Sequence, residues 1–409
     1  MTATSAVEFL IWLLIAASII AVLAGRLRIP YTVALVLGGL VLSLLRLPAS
    51  PLQPGLRPNW LTPDVILIFF LPALIFEGSI KLDVRDLLRD AAPFLLLANL
   101  GVLLAMLVTG YLVHWAIGIP LFAALTFGAI ISATDPISVL AIFKDLCMSK
   151  RLSVIIEGES LLNDGTAVVL FQVLLAGFVA GKFSVGRGVA QFVFAVAGGA
   201  AIGSLLGYVS SKITERLDDP QIEITLTTIV AYGSYLIAHH LHLSGVIATC
   251  AAGLMVGNFG ARHGMSERTR TAVDSFWEYI AFVMNSLVFL LIGLEVHIRA
   301  ITHVWLPVLL AIAAVLMGRV LSVYALVPVS NLFAEKIPRP WQHVIVWGGL
   351  RGSLALALAL SLDNSFPERD RVLDMTFGVV VFSILVQGLT IKPLLRVLKL
   401  ADGDSAAKP

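Results

Sequence analysis

The sequence predicts an all-α protein that crosses a membrane many times. Apolar residues make up 58% of the 409 residues and charged residues only 13%, whereas charged residues form about 25% of an average soluble domain. The mean hydropathy is +0.95. The apolar residues are grouped into runs of about 17–25 residues, the length that a helix needs to cross a hydrocarbon layer about 30 Å thick. Lipid is therefore the main solvent of this chain.

Thirteen such runs follow one another, and Pro and Gly residues mark many of the joins between them. No Lys or Arg precedes Arg26, which favours a first membrane span over a cleaved signal peptide. The predicted spans are 7–25, 30–46, 63–80, 91–117, 120–143, 152–181, 187–211, 222–240, 243–258, 274–297, 303–329, 341–361 and 373–395.

The basic residues predict the orientation, because cytoplasmic loops carry an excess of Lys and Arg. Nineteen of the 28 basic residues fall in one set of alternate loops and seven in the other; Arg319 and Arg351 lie inside spans. We therefore expect a multi-pass protein of the cell membrane with its N-terminus outside and its C-terminus in the cytoplasm. Residues 1–409 are expected to form one transmembrane transporter domain, with 400–409 as a short cytoplasmic tail.

Spans 2–6 weakly resemble spans 9–13 at an offset of about 215 residues, and an odd number of spans separates the two units, which would make them an inverted repeat typical of secondary transporters. Pro136 interrupts the fifth span and would free the carbonyl groups of Ser132 and Ala133. The glycines Gly348, Gly349 and Gly352 would loosen the twelfth span in the same way. Broken helices at membrane depth are tolerated where they are buried or line a cavity.

Ionisable residues also lie inside the spans, where charge is costly and usually functional or paired. At about 1.5 Å per residue, Asp135, Asp164 and Arg351 fall near the middle of the bilayer, and Glu77 lies nearer the cytoplasmic side. Carboxylates, hydroxyl groups and freed carbonyl groups are the oxygen ligands that hard cations prefer.

The sixth span combines several polar residues on one strip. Glu159 and Asn163 are four residues apart, as are Ser160 and Asp164, so each pair shares a helix face. A polar contact between helices would explain one such residue. A strip of four, close to other buried charges, favours a transport site.

In these motifs the chain resembles the NhaP-type branch of the monovalent cation:proton antiporters, which is related to the eukaryotic sodium/proton exchangers. The matching segments occur in order along the whole chain. They are Phe70-Leu-Pro-Ala-Leu-Ile-Phe-Glu77, Ala133-Thr-Asp-Pro136, Glu157-Gly-Glu-Ser-Leu-Leu-Asn-Asp-Gly165, Phe289-Leu-Leu-Ile-Gly293 and Gly348-Gly-Leu-Arg-Gly352.

The resemblance implies a core bundle that carries the ion site and a second bundle that forms the interface of a homodimer, with spans 5 and 12 crossing as broken helices. It implies that Asp164 carries the exchanged ion or proton. It also implies that Glu159 pairs with Arg351 and that Asn163 supports that pair. The neighbouring cation ligands or site-shaping groups would be Asp135, Ser160, Glu77 and the Thr134 carbonyl, with Na⁺ held at Asp164, Asp135, Ser160 and Glu77.

Two further features are a group of histidines near the end of the eighth predicted span and Arg319 inside the eleventh. His239 occupies a position where the family often has an acidic residue, and His239, His240 and His242 together suggest a pH sensor, a metal site or simply a polar loop, of which the polar loop is favoured. Arg319 is expected to compensate carboxylates in the core or the dipole of a broken helix, rather than to take part in transport directly.

The expected activity is exchange of Na⁺ or Li⁺ for H⁺, with K⁺/H⁺ exchange as the alternative. If Glu159 is neutralised by Arg351, Asp164 is the one carboxylate of the strip left to alternate between a proton and a cation, which predicts electroneutral one-for-one exchange. Electrogenic relatives tend to carry Asp-Asp where this chain has Asn163-Asp164. The expected partners are these ions, lipid and a second copy of the chain, without nucleic acid or a cofactor.

Other functions fit less well. The chain has no phosphate-binding loop of the G-x-x-x-x-G-K-[ST] type and no T-V-G-Y-G filter, which disfavours an ATP-driven pump and a potassium-type channel. An intramembrane aspartyl protease would use Asp135 and Asp164 but leave Ser160, Asn163 and Arg351 without a role, so no enzyme is expected. A carrier for organic anions needs a cationic site, whereas acids outnumber bases here.

Overall fold

The computed structural model describes residues 3–27, 29–45, 65–181, 184–261, 264–295 and 304–400. This part of the chain is helical and contains no strand, which confirms the predicted all-α class. The helices are α1 (Ala3–Leu27), α2 (Tyr31–Leu45), α3 (Leu71–Lys81), α4 (Ala91–Ile117), α5a (Leu121–Ser132), α5b (Ile137–Asp145), α6 (Lys150–Val179), α7 (Val185–Thr214), α8 (Pro220–His240), α9 (Gly245–Gly260), α10 (Glu267–Glu295), α11 (Trp305–Ser330), α12a (Arg339–Trp347), α12b (Ser353–Leu360) and α13 (Arg369–Val397).

Eight helical segments of this part are long and apolar enough to cross a membrane, counting α5a and α5b together as one. Shorter apolar helices such as α2 and α9 lie between them. The number of thirteen crossings and the inverted repeat stay predictions. Most of the predicted tail, 401–409, lies outside the described residues, as does the start of the third predicted span.

Both predicted interruptions are confirmed. The fifth span is broken between Ser132 and Ile137, and the twelfth between Trp347 and Ser353. Each break follows from its sequence, since Pro136 cannot donate a backbone hydrogen bond and glycines stabilise helical geometry poorly.

Helix α10 begins seven residues before the predicted start at 274. Its first turns carry charged residues, so the hydropathy pattern detects only the apolar remainder of the helix. At its start, the hydroxyl groups of Ser266, which precedes the helix, and of Thr269, in its first turn, donate to Asp218 Oδ1 at 2.6 and 2.9 Å. These two hydrogen bonds hold the pKa of Asp218 below its usual value.

One end of the bundle is tied together by ion pairs around Arg151, at the start of α6. Its guanidinium group binds Asp90 at 2.7 Å and also donates to the backbone carbonyl of Glu335, just before α12a. Lys150 pairs with Asp86 at 2.6 Å. This end joins the α3–α4, α5–α6 and α11–α12 connections, all of which belong to the Lys- and Arg-rich set. We call it the basic face.

Small residues allow α7 and α9 to pack closely. A Cβ atom on Gly203 would lie 1.9 Å from the carbonyl oxygen of Ala248, and one on Gly199 would lie 2.6 Å from that of Ser244. Neither contact leaves room for a side chain. The spacing Gly199, Gly203, Gly207 is the small-xxx-small pattern that brings membrane helices together.

Candidate ion-binding site

The two broken helices meet at their unwound segments. The backbone N–H of Asp135 donates to the carbonyl of Leu350 at 2.8 Å. A Cβ atom on Gly352 would lie 2.6 Å from Asp135 Oδ2, so only glycine fits opposite this carboxylate. Asp135 Oδ1 in turn accepts from the N–H of Ile137 at 2.9 Å, at the first turn of α5b. A helix N-terminus stabilises a negative charge there.

Arg351, in the second unwound segment, holds the first one in place. Its Nη1 donates to the carbonyl oxygens of Ser132 and Ala133, at 2.9 and 3.2 Å. The sequence predicted these carbonyls to be freed as cation ligands. The break frees them as predicted, but in this structure they accept hydrogen bonds from the buried guanidinium group, so they hold Arg351 in place of the expected cation.

The partner of Glu159 is Arg319 and not Arg351, so the pairing that the resemblance implied is wrong. Arg319 Nη1 lies 2.6 Å from Glu159 Oε1, and Nη2 lies 2.8 Å from Oε2. Both side chains are buried, with 8% and 1% of their surface exposed. Arg319 Nη2 also donates to the carbonyl of Ile345 in α12a at 3.0 Å. The expected compensating role of Arg319 is confirmed, and this residue ties α11 to α6 and α12a.

Asn163 connects α6 to the break in α5. Its Nδ2 donates to Thr134 Oγ1 at 2.6 Å, and its Oδ1 accepts from the Thr134 N–H at 3.2 Å. Nδ2 also lies 3.3 Å from Glu159 Oε1, so Asn163 does support the Glu159 ion pair. Thr134 Oγ1 lies 3.1 Å from Ser160 Oγ. Glu159 and Asn163 of the predicted polar strip thus form structural contacts. The face of α6 that carries Ser160 and Asp164 remains open.

That open face borders a cavity of about 130 Å³. Asp164, Asp135 and Ser160 line it, together with Thr134 and the backbone around Gly352. Among the described residues, the Asp164 carboxylate has no hydrogen-bond or ion-pair partner. It lies within electrostatic range of the two carboxylates of Asp135 and Glu159.

Glu77 lines the same cavity but stands apart from the two aspartates. Its Oε1 forms an ion pair with Lys81 at 2.6 Å. Among the described residues, no three His, Cys, Asp or Glu side chains come together as a candidate metal-ion site. Asp164, Asp135 and Ser160 line the cavity together, and Glu77, which also lines it, is paired with Lys81.

Several residues of this region were not singled out from the sequence. Glu157 and Asn285 line the cavity. Ser383 Oγ accepts from the N–H of Arg351 at 2.8 Å, and Gln387 donates to the carbonyl of Trp347 at 3.1 Å, so α13 caps both sides of the break in α12. The signal was present, because Ser383 and Gln387 are polar, four residues apart and inside an apolar span.

The three histidines lie apart from this cavity. His239 and His240 are exposed at the end of α8, and their ring centres are 6.2 Å apart. His242 follows with a left-handed backbone, φ 56°. Within the described part of the chain, they do not join other His, Cys, Asp or Glu side chains in a group of three that could hold a metal ion. A polar helix end is the interpretation that this geometry favours.

The arrangement can bind one small cation or one proton. Asp135 and Asp164 supply carboxylate oxygens and Ser160 supplies a hydroxyl group, the ligand type of hard cations. Two carboxylates that face one cavity repel each other. Binding either a proton or a cation would relieve that repulsion.

Comparison with known proteins shows the family of the chain. A family model described as "Sodium/hydrogen exchanger, transmembrane" matches residues 13–397. The chain is 42% identical over 388 residues to the Na⁺/H⁺ antiporter NhaG of Bacillus atrophaeus, covering 94% of this chain and 73% of that protein. It is 40% identical over 400 residues to the Na⁺/H⁺ antiporter NhaH of Halobacillus aidingensis, covering 97% and 98%.

A solved structure shares the fold. The sodium proton antiporter MjNhaP1 from Methanocaldococcus jannaschii superposes with a TM-score of 0.82 at 20% identity, covering 98% of this chain and 100% of that one. The sequence matches span nearly the whole chain, including both broken helices and the polar strip of α6. The chain therefore belongs to the sodium/hydrogen exchanger family.

Proposed function

We propose that this protein is a secondary antiporter that exchanges one Na⁺ or Li⁺ for one H⁺, with Asp164 as the group that alternates between the two. The observation that carries this proposal is the Asp164 carboxylate, which borders the cavity without a partner among the described residues. Asp135 and Ser160 supply the remaining ligands. The names of the antiporter relatives support sodium as the cation, and K⁺/H⁺ exchange on the same fold is the alternative.

The charges around the site support one-for-one exchange. Five charged groups belong to the two breaks, the α6 strip and its ion pair: three carboxylates, on Glu159, Asp135 and Asp164, and two guanidinium groups, on Arg319 and Arg351. One negative charge is therefore in excess. A single bound proton or a single monovalent cation neutralises it, so the loaded site has the same charge with either ion.

The roles of the side chains follow from their contacts. Arg319 neutralises Glu159 and keeps it out of the exchange. Asp135 Oδ1 accepts from the N–H of Ile137 at the first turn of α5b, a contact that favours the charged form of this group. Asp164 lacks such a contact within the described part of the chain, so it is the carboxylate that is free to take up and release a proton. The chain's residues thus support transport rather than an enzymatic reaction.

The surrounding membrane arrangement is part of the proposal. We place the protein in the cell membrane with the basic face in the cytoplasm, the N-terminus outside and the C-terminus inside, as the Lys and Arg distribution predicts. The cavity that Asp164 lines also has Glu77 and Glu157 in its wall. Exchange would proceed by alternating access to this one site, in a homodimer whose whole chain forms a single transporter domain.

The test is proton movement in liposomes that contain the purified protein and a pH dye. An outward-acidic or inward-acidic gradient is imposed, and Na⁺, Li⁺, K⁺ or choline is added in turn. We expect Na⁺ and Li⁺ to collapse the proton gradient and choline to leave it unchanged. A K⁺ response larger than the Na⁺ response would favour the alternative, and no response to any of the three alkali cations would contradict exchange.

A further inference from the structure

A lysine is paired with one of the carboxylates that line the cavity. Lys81, the last residue of α3, lies 2.6 Å from Glu77 Oε1 and 2.8 Å from Glu278 Oε1. Glu77 lines the cavity and is 21% exposed, whereas Glu278, on α10, does not line it and is 63% exposed. One ammonium group is thus shared between a carboxylate of the cavity wall and a carboxylate at the protein surface.

A third carboxylate, that of Glu157, lies near Glu77 and Lys81. Glu157 lines the cavity on α6, one helical turn from Ser160, within electrostatic range of both Glu77 and Lys81. The cavity that Asp164 lines thus carries two further acidic side chains, and the Lys81 ammonium group competes with an incoming cation for at least one of them. An ammonium group and a sodium ion carry the same charge, so each can replace the other beside Glu77.

We propose that Lys81 acts as a tethered cation, which pairs with Glu77 while the cavity holds no sodium ion and moves fully onto Glu278 when a sodium ion enters. The second carboxylate gives the displaced ammonium group a partner, so Glu77 becomes available without stranding a charge. Lys81 is a positioning residue in this scheme, because it sets the ease of cation entry and does not touch the ion at Asp164. The inference rests on the proposed sodium exchange through Asp164.

The test measures the initial rate of sodium-driven proton movement in proteoliposomes against the sodium concentration. We expect Lys81→Gln to lower the apparent KM for sodium about two- to fivefold, the range that a partly exposed ion pair supports. Glu278→Gln should raise KM by a similar factor, because Lys81 then has only Glu77. In the double variant KM should equal that of Lys81→Gln alone, since Glu278 acts only through Lys81.

A general effect of charge on the local sodium concentration gives a different pattern. It makes the two changes additive, so the double variant would return to the wild-type KM, and that result would overturn the proposal. Lys144→Gln is the matched control, since Lys144 is exposed and lies within electrostatic range of Glu278. An unchanged KM in this variant supports the switch, and a decrease equal to that of Lys81→Gln contradicts it.

Two further measurements complete the test. Glu278→Gln is also measured on its own, so the switch can be tested even if Lys81→Gln fails to fold. An unchanged or lowered KM in Glu278→Gln would contradict the switch. Asp164→Asn separates this inference from the proposed function, because it should abolish sodium-driven proton movement with or without Lys81. Exchange that survives Asp164→Asn refutes the proposed function, whereas a silent Asp164→Asn with an unchanged Lys81→Gln KM refutes only the switch.

Discussion

Replacing Asp164 by Asn should reduce sodium-driven proton movement to the rate of protein-free liposomes. An amide cannot take up and release a proton in this range, and it lacks the charge that binds a cation. Because no hydrogen bond or ion pair to this carboxylate exists in the described structure, its removal should leave the melting temperature unchanged or raise it by relieving repulsion from Asp135. The measurement pairs the transport assay with thermal unfolding in detergent.

Asp145→Asn provides the matched control for this prediction. Asp145 is exposed at the end of α5b, away from the cavity lining, so its loss should leave exchange at the wild-type level. Normal exchange by folded Asp164→Asn would show that another group carries the proton. Asp135 and Glu157 would then be the first to examine.

The second prediction with a large expected effect concerns the Glu159–Arg319 ion pair and the stability of the folded protein. Removing one partner of the Glu159–Arg319 pair strands a buried charge, which typically costs about 3–5 kcal/mol. Arg319→Gln also removes the hydrogen bond to the carbonyl of Ile345. Each single variant, Glu159→Gln or Arg319→Gln, should therefore lower the folded yield and the melting temperature strongly.

The double variant decides whether the two residues act as partners. Neutralising both leaves no stranded charge, so Glu159→Gln combined with Arg319→Gln should recover part of the loss. The exposed pair Lys212–Glu215 is the control, since such pairs contribute about 0–1 kcal/mol. Strictly additive losses at Glu159 and Arg319 would refute direct coupling, and a recovery of Glu159→Gln by Arg351→Gln instead would restore the pairing implied by the family resemblance.

The sequence was informative where the structural cause is local. Pro136 interrupts its own helix, and residues four apart on α6 share a face whatever surrounds them. The two breaks and the polar strip could therefore be predicted residue by residue. The start of α10 could not, because its first turns are charged and extend beyond the apolar span.

Which arginine pairs with Glu159 depends on how helices that are distant in the sequence pack together. The spacing of residues along the chain does not reveal this. Both Arg319 and Arg351 were available to Glu159, and the packing of α11 against α6 selects Arg319. The guanidinium group of Arg351 is used instead on the carbonyls that Pro136 leaves free. The Glu77–Lys81 pair is different: these residues are four apart on one helix and could have been found, but Lys81 counted only as a loop charge in the orientation of the spans.

The most direct test of the account is the voltage dependence of the exchange null point. Liposomes with a potassium/valinomycin potential clamp the voltage while the sodium and proton gradients are varied until net movement stops. If Asp164 alone alternates between one proton and one cation, movement stops when the sodium ratio balances the proton ratio one for one, at every voltage. A null point that shifts with voltage would mean that net charge crosses the membrane, and that a second carboxylate such as Glu157 or Asp135 also releases its proton.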